Sequence, residues 1–354
     1  MIQGVGSVLA RNLISYAGSV ENVFRIPLQK LLKIPGIGEV NAHRIKESNV
    51  LALAEKELTF IEKNDIKTYF YLDADYPKRF GQCIDAPVVF YYKGNANLDT
   101  TKIISIVGTR NATAYGRQIC DEFIRDLAAK RYDFVVVSGL AFGIDIQAHK
   151  SSLQYGVPTI GVLGHGLNKL YPASHAKTAD LMVQNGGLLT DFSTAANIDP
   201  RNFVRRNRLI AGLSDACIVV ESGAKGGALI TAEIAASYNR DVFAFPGRVG
   251  DSYSKGCNKM IKTNMAALIE NAADFEYLMG WETTSKKPVQ QMFFAELSDE
   301  EQKIVDIMGR QEKSFIDHIC MEMGMTVGKI SALLLALEFK GVVDALPGKM
   351  YRLR

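Results

Sequence analysis

Polar residues and glycines directly follow two short apolar runs, and together they predict an anion site. The first run, Ile103–Val107, and the second, Phe134–Val137, are short and rich in β-branched residues, as buried parallel strands are. The residues that follow them are Gly108, Thr109, Arg110, Ser138 and Gly139. An arginine fork matches phosphate oxygens, and backbone N–H groups at glycines donate to the same oxygens. A phosphate is therefore the most natural ligand.

A cluster of arginines adds to this prediction. Within eight residues the chain carries Arg201, Arg205, Arg206 and Arg208, interleaved with Phe203 and Asn207. Only Asp199 opposes them locally, and an aromatic ring among arginines can stack on a nucleobase. The alternative is a solvated helix start with structural ion pairs, in which Arg206 pairs internally. The position of the cluster beside the predicted strand ends favours a binding role.

A glycine-rich turn supplies a third group of donors. Lys225, Gly226 and Gly227 follow the apolar run that ends at Val220 and precede a helical pattern. Free N–H groups and one lysine at a strand end indicate phosphate binding, and the indication is stronger because Arg110 and the arginine cluster point to the same ligand.

The elements that must position these residues alternate between strands and helices from about Ile103 to Ile269. A glycine or a polar residue closes each strand, which predicts a Rossmann-like, mostly parallel sheet. The chain has neither a G-x-G-x-x-G fingerprint after the first strand nor a Walker A sequence, and we predict no cofactor.

Composition sets outer limits. A chain of 354 residues with 47% hydrophobic and 22% charged residues should form about two or three globular domains. The net charge of +3 does not itself indicate nucleic acid, so local clusters must carry that argument. The five cysteines form no C-x-x-C pair, and no apolar run is long enough for a membrane span. We therefore expect a soluble, cytoplasmic protein with no metal site and no contact with a membrane.

The N-terminal part contains an internal repeat. Gly4–Arg11 and Gly36–His43 share a glycine-aliphatic-glycine pattern followed by an amphipathic helix, as in helix-hairpin-helix (SAM-like) units. Their N–H groups could hold a DNA phosphate, but Glu47, Glu55 and Glu57 also suit a protein contact. Both alternatives stay open.

The C-terminal part has the pattern of a winged helix. Ser298, Ser314 and Thr326 are predicted to begin three helices, and a hairpin follows. Because only Lys329 and Lys340 lie on the third helix, a protein contact is as good an interpretation as duplex DNA. We predict a helix-hairpin-helix domain at 1–65, a Rossmann-like domain at 66–281, a linker at 282–292 and a winged helix at 293–354.

Longer motifs, in a fixed order, resemble the DNA-processing protein A family, also called DprA or Smf. They are Val107-Gly108-Thr109-Arg110, Ser138-Gly139-Leu140-Ala141-x-Gly143-Ile144-Asp145-x-x-Ala148-His149, Tyr171-Pro172, Arg206-Asn207-Arg208-Leu209-Ile210-Ala211-Gly212-Leu213-Ser214, Leu229-Ile230-Thr231-Ala232 and Phe245-Pro246-Gly247. The resemblance implies a cytoplasmic bacterial protein that binds single-stranded DNA and loads the RecA recombinase during natural transformation. It also implies a homodimer through the Rossmann-like domain and no catalysis.

Carried over by position, the resemblance implies a binding pocket and a role for some of its residues. Arg110, with Arg206 or Arg208, would hold phosphates, and Phe203 would stack a base. The residues predicted to bind DNA are Gly108, Thr109, Arg110, Ser138, Gly139, Arg201, Phe203, Arg205, Arg206, Asn207, Arg208, Lys225, Gly226 and Gly227.

Three departures from the family pattern bear on this pocket. Gly226-Gly227-Ala228 replaces the usual Ser-Gly-Ser and lacks two hydroxyl donors, Asp191 replaces a glutamate, and Ala173 replaces an often basic residue.

Two other functions compete with this one. A Rossmann-like nucleotide hydrolase would use a Gly-Gly turn and a helical glutamate, as Gly226-Gly227 and Glu233 imitate, but the spacing to Thr231 differs. His149 and His165 are candidate general bases for it, although neither lies beside an evident nucleophile in the sequence. A regulator that binds duplex DNA through the winged helix is the other alternative.

Overall fold

A computed structural model describes residues 2, 4–281, 297–309, 314–340, 342–346 and 350–353. The chain forms two compact units, Met1–Gly280 and Trp281–Arg354. The predicted linker at 282–292 lies wholly outside the described residues.

Five helices form the first part of the larger unit. They are α1 (Ser7–Ala17), α2 (Val20–Arg25), α3 (Leu28–Leu31), α4 (Glu39–Glu47) and α5 (Val50–Lys63). The repeat seen in the sequence is also a structural repeat. Gly4 and Gly36 have φ of +88° and +84°, and Gly6 and Gly38 are the N-caps of α1 and α4. A positive φ favours glycine, so the pattern and the turn explain each other.

A sheet of nine strands follows. The strands are β1 (Lys67–Phe70), β2 (Val89–Gly94), β3 (Lys102–Val107), β4 (Phe134–Ser138), β5 (Thr159–Val162), β6 (Gly186–Thr190), β7 (Ala216–Val219), β8 (Asp241–Ala244) and β9 (Ala267–Leu268). Their order is β1-β2-β6-β5-β4-β3-β7-β8-β9. β2 pairs antiparallel with both of its neighbours, β1 and β6, and the other neighbouring strands pair parallel. The Rossmann-like sheet is thus confirmed, and it gains an antiparallel edge.

Helices connect these strands. They are α6 (Lys78–Gly81), α7 (Ala114–Ala129), α8 (Ile144–Gln154), α9 (Ala176–Gln184), α10 (Pro200–Leu213), α11 (Gly227–Ser237), α12 (Lys255–Lys262) and α13 (Ala272–Met279), with a 3-10 turn at Ala173–His175. From β3 the chain adds β4, β5 and β6 on one side, then returns to place β7 on the other side. The switch in direction therefore lies between β3 and β7, where α/β sheets bind ligands at the carboxyl ends of their strands.

The helix-hairpin-helix part is bonded to the sheet. Buried Glu57 of α5 accepts from the backbone N–H of Thr194 at 2.9 Å and from its hydroxyl at 2.5 Å. Arg11 of α1 donates to Ala86 O at 2.6 Å and lies 5.5 Å from the ring centroid of Tyr71.

The second unit is a winged helix, as predicted. Its elements are α14 (Asp299–Met308), β10 (Ser314–Phe315), α15 (Ile316–Met323), α16 (Val327–Phe339), β11 (Val343–Leu346) and β12 (Met350–Leu353). Ser298 and Glu301 form a capping box at the start of α14. Ser314 does not begin a helix as predicted, because it lies in β10, and Phe315 is the N-cap of α15.

Two lysines of this unit form ion pairs within it. Lys329 lies 2.5 Å from Glu300, and Lys340 lies 2.7 Å from Glu301. Among the described residues, no single helix is long and apolar enough to cross a membrane; α15 and α16 meet that criterion only as a pair, bent by 110°.

Candidate nucleic-acid interface

A cleft of about 440 Å³ lies at the switch between β3 and β7. Its walls are the loops after these two strands and the beginnings of α10 and α11. The predicted residues that line it are Gly108, Thr109, Arg110, Phe203, Arg206, Asn207, Lys225, Gly226 and Gly227. The structure therefore brings together residues separated by more than a hundred positions in the chain.

Close backbone contacts fix the loop that carries Arg110. Thr109 N donates to Glu221 O at 2.7 Å, which joins the loops after β3 and β7. A Cβ on Gly108 would lie 2.4 Å from Ile144 Cγ1, and one on Gly143, where φ is +80°, would lie 2.1 Å from Thr109 O. Because these approaches need glycine, the loop packs tightly against the beginning of α8, and the exposed Arg110 that it carries lines the cleft.

The two cations of the cleft are available to a ligand. Arg110 and Lys225 are exposed, and neither forms an ion pair with any residue that the structure describes. They come from the loops after β3 and β7, so they approach the cleft from opposite sides of the switch. A phosphate between them would meet two positive charges without displacing a carboxylate.

Backbone donors and an aromatic ring complete the walls. Gly226 is the N-cap of α11, and no side chain that the structure describes caps this helix; Leu229 N donates to Gly226 O at 3.2 Å, which leaves the N–H groups of Gly227 and Ala228 as the donors that could bind an anion. Asn207, buried on α10, donates to Gly227 O at 3.3 Å and ties the two helices together. Phe203 is half-buried beside Gly164, where a Cβ would lie 2.9 Å from the ring.

Two predicted phosphate ligands point into the protein instead. Arg206 is 4% exposed and donates through Nη1 to the carbonyls of Gly139, at 2.5 Å, and Val162. Arg208 donates to a carboxylate oxygen of Asp191 and also to a backbone carbonyl. The fold uses these donors, so the expectation that Arg206 or Arg208 holds a phosphate is replaced by a structural role for both. This internal pairing of Arg206 is the alternative left open above.

The remaining predicted residues lie below or outside the cleft. Ser138 is fully buried and donates to Ile106 O at 2.6 Å, and Gly139 is buried beneath Arg206. Arg201 pairs with Asp199 at 2.6 Å, and Arg205 lies over the ring of Phe192. None of the four lines the cleft.

Two buried ionisable side chains, Asp145 and Arg206, approach each other in the wall of the cleft. A Cβ on Gly139 would lie 2.5 Å from Asp145 Oδ2 and 2.6 Å from Arg206 Nη2, so both side chains converge on this glycine. Burial raises the pKa of Asp145, and the charge of Arg206 opposes that shift. Burial lowers the pKa of Arg206 to about 10, which leaves it charged at neutral pH.

The candidate general bases do not reach the cleft. His149 is fully buried, 2.7 Å from Thr159 Oγ1, and burial lowers its pKa to about 3. His165 is also buried, and its Nε2 accepts from Tyr171 N at 3.2 Å. Both histidines are structural, which removes the main support for the hydrolase alternative.

Sequence reasoning missed several residues of the cleft. Asn111, Ala141, Asp145, Ile230, Thr231 and Tyr253 also line it. Tyr253 follows β8 and reaches the cleft because its carbonyl accepts from Ser222 N at 2.8 Å. No local pattern marks it, whereas Ala141 and Asp145 lie inside a stretch already quoted for the family.

A cleft at the switch point of a Rossmann-like sheet is typical of α/β proteins that bind a ligand at the carboxyl ends of their strands. Three family models match the chain: DNA recombination-mediator protein A over 67–279, the DprA winged helix domain over 294–349 and a SAM-like helix-hairpin-helix tandem over 1–48. Because the first covers more than half of the chain, the protein belongs to the DNA recombination-mediator protein A family, DprA or Smf, which confirms the resemblance.

Individual relatives agree. Protein Smf of Escherichia coli is 32% identical over 283 residues, which cover 79% of this chain and 75% of that protein. The X-ray structure of DNA processing protein A from Streptococcus pneumoniae matches with a TM-score of 0.68 and 30% identity, over 78% of this chain and 94% of that one. DNA processing protein A of Helicobacter pylori, studied for its single-stranded DNA binding mode, matches with a TM-score of 0.55 and 30% identity, over 61% and 96%.

Proposed function

We propose that this protein binds single-stranded DNA in the cleft between β3 and β7. The observation that carries the proposal is that Arg110 and Lys225, which form no ion pair with any described residue, line one cleft together with Phe203. Phosphates would lie against the cations and the N-terminus of α11, and one base would stack on Phe203. A base is accessible for such stacking in a single strand but not inside a duplex.

The structure reduces the number of phosphate contacts that the sequence suggested. With Arg206 and Arg208 used internally, Arg110 and Lys225 are the cations left for about two phosphates. Each neutralised phosphate contributes about −0.7 to the slope of log affinity against log salt for a single strand. We therefore expect a slope of about −1.4, shallower than four arginines would give.

Arg110→Ala tests the proposal. Fluorescence anisotropy with a labelled single-stranded oligonucleotide, repeated at several salt concentrations, should show weaker binding and a slope smaller by about 0.7. Arg201→Ala is the matched control, because Arg201 is also an exposed arginine but lies outside the cleft. Thermal melting should be unchanged in both variants.

Three results would contradict the proposal. Normal binding by Arg110→Ala would move the site away from the cleft, and early melting would make Arg110 structural. A preference for duplex DNA that disappears when residues after Val289 are deleted would assign binding to the winged helix. The pairing of Lys329 and Lys340 within that unit argues against this last result.

We further propose that the protein delivers its single strand to the RecA recombinase during natural transformation, as a cytoplasmic homodimer joined through the Rossmann-like domain and without catalysis. Membership of the family supports the proposed role with RecA. The domain boundaries that we predicted from the sequence are also part of the proposal. RecA filament formation on protein-coated single strands should accelerate when this chain is added. Loss of a nucleoside monophosphate in the presence of pure protein would contradict the absence of catalysis.

A further inference from the structure

Two exposed aromatic rings lie next to the cleft. Tyr171 and Phe142 are each 48% exposed. The ring centroid of Tyr171 is 5.6 Å from that of Phe203, which forms the cleft wall, and Phe142 directly follows Ala141, another lining residue. Exposed rings contribute little to the core, and these two continue the aromatic surface of the cleft outward.

Short backbone contacts hold the two rings in place. His175 N donates to Pro172 O at 3.1 Å, and its ring is 4.9 Å from that of Phe142 in an edge-on arrangement. The side chain of His175 is also bonded to Leu140 O at 3.0 Å. We call Tyr171, His175 and Phe142 the aromatic track. It is fixed to the turns after β4 and β5, so its rings are presented at little entropic cost.

The charge around the aromatic track favours a polyanion. The segments that carry it, 139–143 and 166–178, contain Lys169 and Lys177 but no aspartate or glutamate. Both lysines are exposed. A segment with flat aromatic faces and exposed lysines has the chemistry that single-stranded nucleic acid requires, because its bases stack and its phosphates are attracted.

We propose that the aromatic track is a second part of the single-strand site, on which bases adjacent to the one in the cleft stack as the strand leaves it. The inference rests on the proposed function, since it extends the same site. The occupant is a nucleotide segment of any sequence, because every base has a face that can stack. Tyr171 would take the nearer base and Phe142 the farther one.

Phe142→Ala is the sharpest test, because Phe142 does not contact Phe203 in the way Tyr171 does. Affinities of thymidine oligonucleotides of two and of eight nucleotides are measured by competition anisotropy. The dinucleotide, which occupies only the cleft, should bind as in the wild type. The octanucleotide should bind about 5- to 100-fold more weakly, which corresponds to the loss of one stacked base.

Controls separate stacking from other effects. Phe142→Tyr should bind the octanucleotide normally, and Tyr277→Ala, which removes another exposed ring on α13, should have no effect. The salt slope should not change in Phe142→Ala, because no phosphate contact is removed. An octanucleotide with abasic positions outside the cleft should bind the wild type and Phe142→Ala with the same affinity, because it has no base left to stack on Phe142.

Several outcomes would overturn the inference while leaving the cleft intact. Equal octanucleotide affinities for wild type and Phe142→Ala would show that the strand leaves by another path. A loss of dinucleotide affinity would show that Phe142 shapes the cleft itself. Normal DNA binding with a changed oligomeric state would assign the surface to a protein contact. Failure of the wild type to bind any single strand would instead reject the proposed function as well.

Discussion

Replacing Arg206 by methionine should destabilise the protein much more than it affects any direct DNA contact. The side chain is 4% exposed and donates to the carbonyls of Gly139 and Val162 while it approaches Asp145. Arg206→Met leaves two buried carbonyl acceptors without their donor, and each such loss costs about 1–3 kcal/mol. We therefore expect Arg206→Met to lower the free energy of unfolding by about 2–6 kcal/mol.

Urea unfolding followed by circular dichroism measures this effect. Arg110→Ala serves as the comparison, since an exposed arginine without an ion pair should change stability by no more than about 0.5 kcal/mol. Asp145→Asn is a second variant, and the loss in the double variant should differ from the sum of the two single losses, because both side chains converge on Gly139.

One combination of results would refute this reasoning. If Arg206→Met unfolds at the wild-type urea concentration yet binds single strands weakly, with a reduced salt slope, then Arg206 holds a phosphate as the sequence first suggested. The converse, early unfolding with a normal salt slope in the folded fraction, is the result that the buried geometry requires.

Two further predictions follow from the ring in the cleft and from the buried histidine. Phe203→Ala should weaken single-strand binding by about 1–3 kcal/mol if a base stacks on it, whereas a drop in melting temperature with unchanged affinity would make it a packing residue only. For His149, burial lowers the pKa from 6.5 to about 3, so the unfolded chain takes up a proton below pH 6.5 that the folded chain excludes. As the pH falls from 6.5 towards 3, the free energy of unfolding should therefore decrease by about 1.4 kcal/mol per pH unit. Urea titrations at pH 7 and pH 5 should show a smaller decrease for His149→Gln than for the wild type. An equal decrease in both proteins would contradict the assignment.

The sequence predicted the sheet well because its strands are buried on both faces. β3 and β4 are nearly continuous apolar runs bounded by polar residues or glycine. Their first and last residues could therefore be predicted to within a residue or two. The antiparallel edge formed by β1 and β2 was less visible, because only one strand of the pair had a clear alternation and pairing partners depend on the whole topology.

The direction of a side chain was harder to predict than its position. The arginines of α10 all suggested phosphate binding. However, the side chains of four residues along one helix point in different directions, and a helix that packs on a sheet must bury some of them. Arg206 and Arg208 donate to carbonyls and to Asp191, groups that are distant in sequence and meet them only in the fold. Tyr253 entered the cleft for the same reason, through a bond to Ser222 that no local pattern announces.

The hydrogen bonds between Glu57 and Thr194 connect the N-terminal helices to one wall of the cleft. Thr194 lies in the segment that leads into α10, the helix that carries Phe203 and Asn207 to the cleft. The carboxylate of α5 therefore holds the segment that leads into the cleft wall, and the N-terminal helices are bonded to that segment directly. A partner that pulls α5 away would break these bonds and loosen the segment that leads into the cleft wall, although it contacts no residue that lines the cleft.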